Sequence, residues 1–90
     1  MELGGNIELI NFEDVEPGKL VVIKKIVGNF TKQISDSQQG FEKIIVELID
    51  KENNTIKGTL IIEGKTKTEE SSDDNLFFAL NSTLNKLLKN

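Results

Sequence analysis

The sequence predicts an α+β fold, a two-layer sandwich in which two helices cover one face of a four-stranded sheet, in the order β-α-β-β-β-α. Two apolar patterns repeat every three to four residues, which is the period of an amphipathic helix. Between them lie segments rich in isoleucine, valine and threonine, which are typical of strands. Ninety residues are enough for one core only, so we expect residues 1–90 to form a single domain.

The first strand is predicted over Ile7–Phe12, where apolar and polar residues alternate loosely after Gly4-Gly5. The segment Glu13–Gly18 then favours a helix start, because acids and a proline are stabilising near a helix N-terminus.

The first helix is predicted from Lys19 to Ile34. Val21, Val22 and Gly28 weaken this prediction, since β-branched residues and glycine are poor helix formers. A strand over Leu20–Ile23 is therefore the alternative. The helix is favoured because five apolar residues fall on one stripe: Leu20, Ile23, Val27, Phe30 and Ile34.

Two strands joined by a turn are predicted in the middle of the chain. Phe41–Asp50 follows a polar loop and is rich in isoleucine and valine, as a central strand is. Lys51–Asn54 has turn chemistry. The next strand, Thr55–Glu63, completes a hairpin and places four residues on one face: Ile56, Gly58, Leu60 and Ile62.

The last strand and the last helix have distinct signatures. Lys65–Glu70 alternates threonine with charge, which suits a solvated edge strand. Ser71 and Asp74 have the spacing of a capping box, so a helix is predicted to begin there and to end near Leu88. Its apolar stripe is Leu76, Phe77, Leu80, Thr83, Leu84, Leu87 and Leu88.

Composition narrows the function classes. The chain has no cysteine and no histidine, and all eleven of its basic residues are lysine. The usual nucleophile–base pairs and thiolate metal sites therefore lack their commonest members, so we expect no enzymatic activity, metal or cofactor. No apolar run approaches the roughly 20 residues of a membrane helix, and the start does not look like a secretion signal. The cytoplasm is the expected location.

Charge is distributed unevenly along the chain, although the net charge is −4. No acid occurs between Pro17 and Ser35 or between Asn75 and Asn90, the two segments predicted as helices. Helical spacing places Lys25 and Lys32 opposite the first apolar stripe, and Phe78 and Lys89 opposite the second, so these four residues are candidates for binding nucleic acid. The alternatives are that these lysines form an ordinary solvated face, and that Phe78 packs beneath the preceding loop.

Three local strings, together with the order of elements, are shared with one known family. They are Ile10-Asn11-Phe12-Glu13-Asp14-Val15, Phe41-Glu42-Lys43-Ile44-Ile45-Val46-Glu47-Leu48, and Glu63-Gly64-Lys65-Thr66-Lys67 with the later acidic bend Asp73-Asp74 and the helix Leu76–Leu88. In these the chain resembles the ribosome hibernation-promoting factors, also called ribosome-associated inhibitors, and their small archaeal-type short forms above all.

The resemblance implies a β-α-β-β-β-α sandwich that binds the small ribosomal subunit and blocks translation. It implies contacts to ribosomal RNA from Lys24, Lys25, Lys32, Lys86 and Lys89. The leading hypothesis is thus a non-catalytic RNA- or ribosome-binding domain. The alternative is a protein-interaction or self-association module, with a homodimer as one form, that keeps the fold without ribosome binding. In that case Lys65–Glu70 would pair with the strand edge of a partner.

Overall fold

The computed structural model describes residues 1–89 and shows a five-stranded sheet with two helices packed against it. The predicted α+β class and all four predicted strands are confirmed, but the structure adds a fifth strand at the start of the chain. The elements are β1 (Glu2–Leu3), β2 (Ile7–Ile10), α1 (Pro17–Ser37), β3 (Phe41–Asp50), β4 (Thr55–Ile62), β5 (Lys65–Ser72) and α2 (Leu76–Leu88).

The strands lie in chain order across the sheet, from β1 at one edge to β5 at the other. The strands β2 and β3 are parallel and are connected through α1, as a parallel pair requires a crossover. All other neighbours are antiparallel. Both helices pack on the same face, because α1 contacts β2 and β3, α2 contacts β4 and β5, and the helices contact each other.

The unpredicted strand β1 forms a short hairpin with β2. Leu3 pairs with Ile7, and the chain reverses through Gly4 and Gly5, which both have positive φ. The Met1 amino group donates a hydrogen bond to the carbonyl of Leu9 at 2.8 Å. A two-residue strand is too short to show alternation, so periodicity could not have predicted it.

The strand β2 ends two residues earlier than predicted. Asn11 has φ +68°, a left-handed conformation that breaks the extended backbone. Phe12 consequently leaves the ladder and is buried in the core, where only 1% of it is exposed.

The helix α1 is longer than predicted at both ends. Residues 20–23 are helical, so the alternative of a strand there is wrong. Pro17 takes the first helical position, where its missing N–H costs nothing. Four of the five residues of the predicted stripe are buried, and the exception is Leu20, which is half-buried. Thr31 is also buried, and its hydroxyl donates a hydrogen bond to the carbonyl of Val27 at 2.7 Å.

The hairpin of β3 and β4 supplies the centre of the core. Its buried residues alternate and face the helices: Ile44, Val46 and Leu48 on β3, and Ile56, Gly58 and Leu60 on β4. The face on β4 is the predicted one, with Ile62 only partly buried, whereas the alternation on β3 was not predicted. The turn at 51–54 is fixed by the carboxylate of Asp50, which accepts hydrogen bonds from the backbone N–H groups of Glu52 and Asn53 at 3.0 and 3.3 Å.

The start of α2 differs from the prediction. Ser71 pairs with Ile56 and belongs to β5, so the predicted capping box at Ser71 and Asp74 is wrong. The N-cap is Asn75, whose side-chain oxygen accepts from the N–H groups of Phe77 and Phe78 at 2.9 and 3.2 Å. The capping pattern at Ser71 does not determine where α2 begins, because cross-strand pairing of β5 with β4 continues through Ser72.

Candidate nucleic-acid interface

A groove between the two helices is the centre of the candidate interface. The helices run in the same direction, since Lys19 and Phe77 line one cavity near their starts and Gln38 and Leu88 line another near their ends. The groove is open to solvent and has a volume of about 280 Å³. Its apolar floor includes Ile26, Phe30 and Leu84.

The walls of this groove carry four side-chain amides, two from each helix. Asn29 and Gln33 lie four residues apart on α1, and Asn81 and Asn85 lie four residues apart on α2. An amide side chain both donates and accepts hydrogen bonds, so it can bind phosphate, ribose or a base edge. None of the four was among the predicted site residues, although the repeated four-residue spacing of amides was visible in the sequence.

Two of the predicted lysines stand on the outer face of α1. Lys25 and Lys32 are both exposed and lie two turns apart, about 10 Å along the helix axis. The helix continues past the predicted acid-free segment and brings Asp36 onto the same face, one turn beyond Lys32. In residues 1–89, the ammonium–carboxylate pairs within 4 Å are Lys43–Glu8 at 3.2 Å and Lys51–Asp14 at 2.7 Å, so neither Lys25 nor Lys32 has such a partner.

The outer face of α2 presents an aromatic ring and a lysine. Phe78 is 63% exposed, so the alternative that it packs beneath the preceding loop is wrong. Lys89 follows the last turn as the C-cap residue and is exposed. Asn85 lies between them on the same face, opposite the buried stripe.

The remaining two candidates lie on the flanks of the helix pair. Lys24 is half-buried and lies on the side of α1 away from α2, since Ile26 and Gln33 face the groove on the other side. Lys86 lies on the β5 side of α2, where its ammonium donates to the backbone carbonyl of Glu70 at 2.7 Å. Sequence spacing could not show this contact, because it depends on how α2 crosses the sheet.

The structure thus brings four of the six predicted residues onto one shared outer surface. We call this surface, with the groove amides, the helix surface. It consists of Lys25, Asn29, Lys32, Gln33, Phe78, Asn81, Asn85 and Lys89.

Comparison with known proteins identifies the fold. No family model and no curated protein matches the sequence. A ribosomal subunit interface protein from Coxiella burnetii is similar in structure, with a TM-score of 0.60 and 15% identity over 91% of this chain and 88% of that one. The N-terminal domain of Protein Y from Thermus thermophilus gives a TM-score of 0.56 and 16% identity over 97% and 91%. The chain has the ribosome hibernation-promoting factor fold.

The hibernation-factor fold separates charge in this chain. The two helices with the cap residue Lys89 carry six of the eleven lysines and one acid, Asp36. The other fourteen acids and five lysines lie outside the helices. The helix layer is therefore cationic on an anionic body. Within the part of the chain that the structure describes, no helix is long and apolar enough to span a membrane, and no acidic cluster has the form of a metal site.

Two carboxyl groups of this body have lowered pKa values. The pKa of Asp14 lies below its ordinary value because Lys51 donates a hydrogen bond to it and attracts it by charge. The pKa of Asp50 is lowered mainly by hydrogen bonds from the side chain and backbone of Asn53. Neither carboxylate pairs with a lysine of the helix surface in residues 1–89, so both add negative charge to the rest of the protein.

Proposed function

We propose that this chain is a non-catalytic RNA-binding domain that associates with the small ribosomal subunit and modulates translation. The observation that carries the proposal is the helix surface, where lysines that have no carboxylate partner within residues 1–89 stand beside amides and an exposed phenyl ring. The fold supports the same conclusion, since a protein that shares it is a ribosomal subunit interface protein.

The chemistry of the surface indicates how it would bind. Lysine neutralises phosphate as a point charge, and the chain has no arginine to grip phosphate or a guanine edge with two parallel hydrogen bonds. Phosphate contacts position a protein without reading sequence. We therefore expect recognition of RNA shape, with Phe78 stacking on an unpaired base and the groove amides contacting ribose or phosphate.

The acidic body has a role in this proposal. A net charge of −4 disfavours non-specific binding to RNA, because most of the surface repels phosphate. RNA can then bind only at the two helices, where the local charge is positive. Such a protein would bind one oriented site and would not coat RNA generally.

The proposal is tested by co-sedimentation with purified small ribosomal subunits. Replacing Lys25 and Lys32 by glutamine removes two charges from the helix surface and should weaken binding about tenfold. The matched control replaces Lys51 and Lys57 by glutamine, which removes the same charge from a turn and from β4. Lys51 loses only an exposed ion pair, which contributes little to stability.

The control pair should bind within about twofold of the parent, because its charges lie away from the surface that faces phosphate. Equal binding by both pairs would contradict the proposal, as would binding that neither pair weakens. Far-ultraviolet circular dichroism confirms that each variant keeps its fold.

A second candidate function is self-association without nucleic acid. The observation that favours it is the position of β5, an eight-residue strand whose outer edge pairs with no other strand in residues 1–89. An exposed edge of this length is a template for strand addition. An RNA-free, concentration-dependent dimer in analytical ultracentrifugation would support this function, and a monomer at every concentration would exclude it.

A further inference from the structure

The turn between β4 and β5 determines which backbone groups of β5 are free. Residues 63 and 64 form a two-residue loop in which both φ angles are positive, +52° and +76°, the geometry of a type I′ turn. The flanking residues Ile62 and Lys65 then form a hydrogen-bonded pair. Such pairs alternate along an antiparallel ladder, so Lys67, Glu69 and Ser71 also bond to β4.

The other four residues of β5 direct their N–H and C=O groups to the outer edge: Thr66, Thr68, Glu70 and Ser72. Two contacts agree with this assignment. Ser72 shares a hydrogen bond between hydroxyls with Thr55 at 2.5 Å, as expected for the closer, non-bonded type of pair. The carbonyl of Glu70 accepts from Lys86, which requires that it points away from β4.

The charge of β5 is polarised along its length. Lys65 and Lys67 lie in its first half, and Glu69 and Glu70 lie in its second half. A second β5 that runs antiparallel therefore brings its acids opposite these lysines, whereas a parallel copy would bring like charges together. The charges of β5 therefore complement those of a second, antiparallel β5.

We propose that β5 pairs antiparallel with β5 of a second copy, with Thr68 opposite the partner's Thr68. Two antiparallel copies of one strand are related by a two-fold axis perpendicular to the sheet, so side chains on the helix side face one another. Lys67 and Glu69 are both on that side, since their cross-strand partners Leu60 and Gly58 are buried beneath the helices. Lys67 then lies opposite the partner's Glu69, and the reverse pair repeats the contact.

Side-chain charge favours this register over its neighbours, because backbone hydrogen bonding alone would also allow the axis at Lys67 or Glu69. With Thr68 at the axis, the outward groups of Thr66, Thr68 and Glu70 all find outward groups on the partner strand. Moving the axis to Lys67 places two lysines opposite each other, and moving it to Glu69 places two glutamates opposite each other. Like charges directly opposite are destabilising.

The two-fold axis also determines the shape of the dimer. The two sheets become one ten-stranded sheet, and the four helices lie on the same side of it. Lys86 lies beside the pairing edge, where its ammonium covers the Glu70 carbonyl in the single chain. This carbonyl has a second lone pair, so it can accept from the partner's Thr66 while the lysine contact remains.

This inference specifies the partner and register of the self-association candidate and does not depend on RNA binding. Analytical ultracentrifugation of charge reversals tests it. Lys67→Glu places a carboxylate opposite the partner's Glu69, and Glu69→Lys places an ammonium opposite the partner's Lys67. Each variant alone should raise the dimer dissociation constant about tenfold.

The combined variant Lys67→Glu/Glu69→Lys should regain the parent dissociation constant, because the opposite charges are paired again with their signs exchanged. An equimolar mixture of the two single variants should form a heterodimer. The controls are Lys19→Glu and Glu52→Lys, which make the same changes of charge on exposed residues away from β5.

Amide hydrogen exchange supplies a second measurement. The N–H groups of Thr66, Thr68 and Glu70 should exchange more slowly as protein concentration rises, since only dimer formation covers them. A dimer that forms equally well in all variants would overturn the register while leaving self-association in place. A chain that is monomeric at millimolar concentration, with these amides unprotected, would overturn both.

Discussion

Gly58 of β4 lies directly beneath Leu87 of α2. A Cβ atom at residue 58 would stand 2.8 Å from Leu87 Cδ1 and 3.0 Å from Thr83 Cγ2, closer than non-bonded carbons normally approach. The hydroxyl of Thr83 also donates to the carbonyl of Ile56 at 3.2 Å and to that of Ala79 at 2.9 Å. The absence of a side chain at Gly58 thus lets α2 lie close to the sheet, which sets the height of one wall of the groove.

We predict that Gly58→Ala lowers the free energy of unfolding by about 1–3 kcal/mol, because the helix must move or the side chains must leave their rotamers. Urea unfolding measures this change. Gly28→Ala is the matched control, since a Cβ there meets nothing within 4 Å and lies inside α1. It should stabilise the protein by about 0.5–1 kcal/mol. Parent-like stability of Gly58→Ala would show that α2 is not held at this height.

The N-cap of α2 gives a second prediction. Asn75→Ala removes the acceptor for the N–H groups of Phe77 and Phe78 and should cost about 1 kcal/mol of unfolding free energy. Ser71→Ala should change stability by less than about 0.5 kcal/mol, because the Ser71 hydroxyl makes only a 3.3 Å contact with Ser82. Thermal or urea unfolding compares the two variants. If Ser71→Ala lowered the unfolding free energy more than Asn75→Ala does, Ser71 and not Asn75 would be the N-cap of α2.

The lowered pKa values of Asp14 and Asp50 make a prediction about pH. Each group titrates below its ordinary value of 3.8 in the folded protein. Each therefore stabilises the fold fully above about pH 4, and this contribution is lost as the pH falls through the lowered folded value. Lys51→Gln should return the pKa of Asp14 toward 3.8 and leave that of Asp50 unchanged, because the hydrogen bonds to Asp50 come from Asn53 and Glu52.

Carboxyl chemical shifts followed by NMR across the acid range distinguish the two groups. If Lys51→Gln moved both pKa values together, the turn at 51–54 would be a coupled unit and the separate causes would be wrong. If it moved neither, the contact between Lys51 and Asp14 would not persist in solution.

Replacing Phe78 tests whether its ring binds RNA or stabilises the fold. Because 63% of Phe78 is exposed, Phe78→Ala should change the unfolding free energy by less than about 0.5 kcal/mol. If the ring stacks on a base, the same change should weaken RNA binding by about 1–3 kcal/mol. Fluorescence anisotropy with a labelled single-stranded ribosomal RNA fragment measures this loss. Phe77→Ala is the contrast, since Phe77 packs against the core and its loss should lower stability. Unchanged affinity of Phe78→Ala would remove the ring from the site.

Much of the fold could be predicted from the sequence because its strongest signals are periodic. The alternation in Thr55–Ile62 and the helical stripe through Ile23 and Ile34 each indicate one buried face, and both faces are buried. The error at the start of α2 arose because pairing between distant segments decides the structure there. Ser71 has a local capping pattern, yet its strand partner Ile56 lies fifteen residues earlier, and cross-strand pairing prevails.

The candidate site could be predicted only in part for the same reason. Spacing along a helix places Lys25 and Lys32 on one face, and it places Phe78 and Lys89 on another. It cannot show that the amides of the two helices meet across a groove, nor that the ammonium of Lys86 contacts Glu70 on β5. These facts depend on the angle at which the helices cross the sheet.

The most direct test of the RNA-binding account is a salt series of co-sedimentation with small ribosomal subunits. The logarithm of the association constant should fall linearly with the logarithm of salt concentration, with a slope of about −2 to −3 for the three lysines of the helix surface. Lys25→Gln combined with Lys32→Gln should reduce that slope to about −1. Binding that does not respond to salt, or no binding even at low ionic strength, would contradict the account.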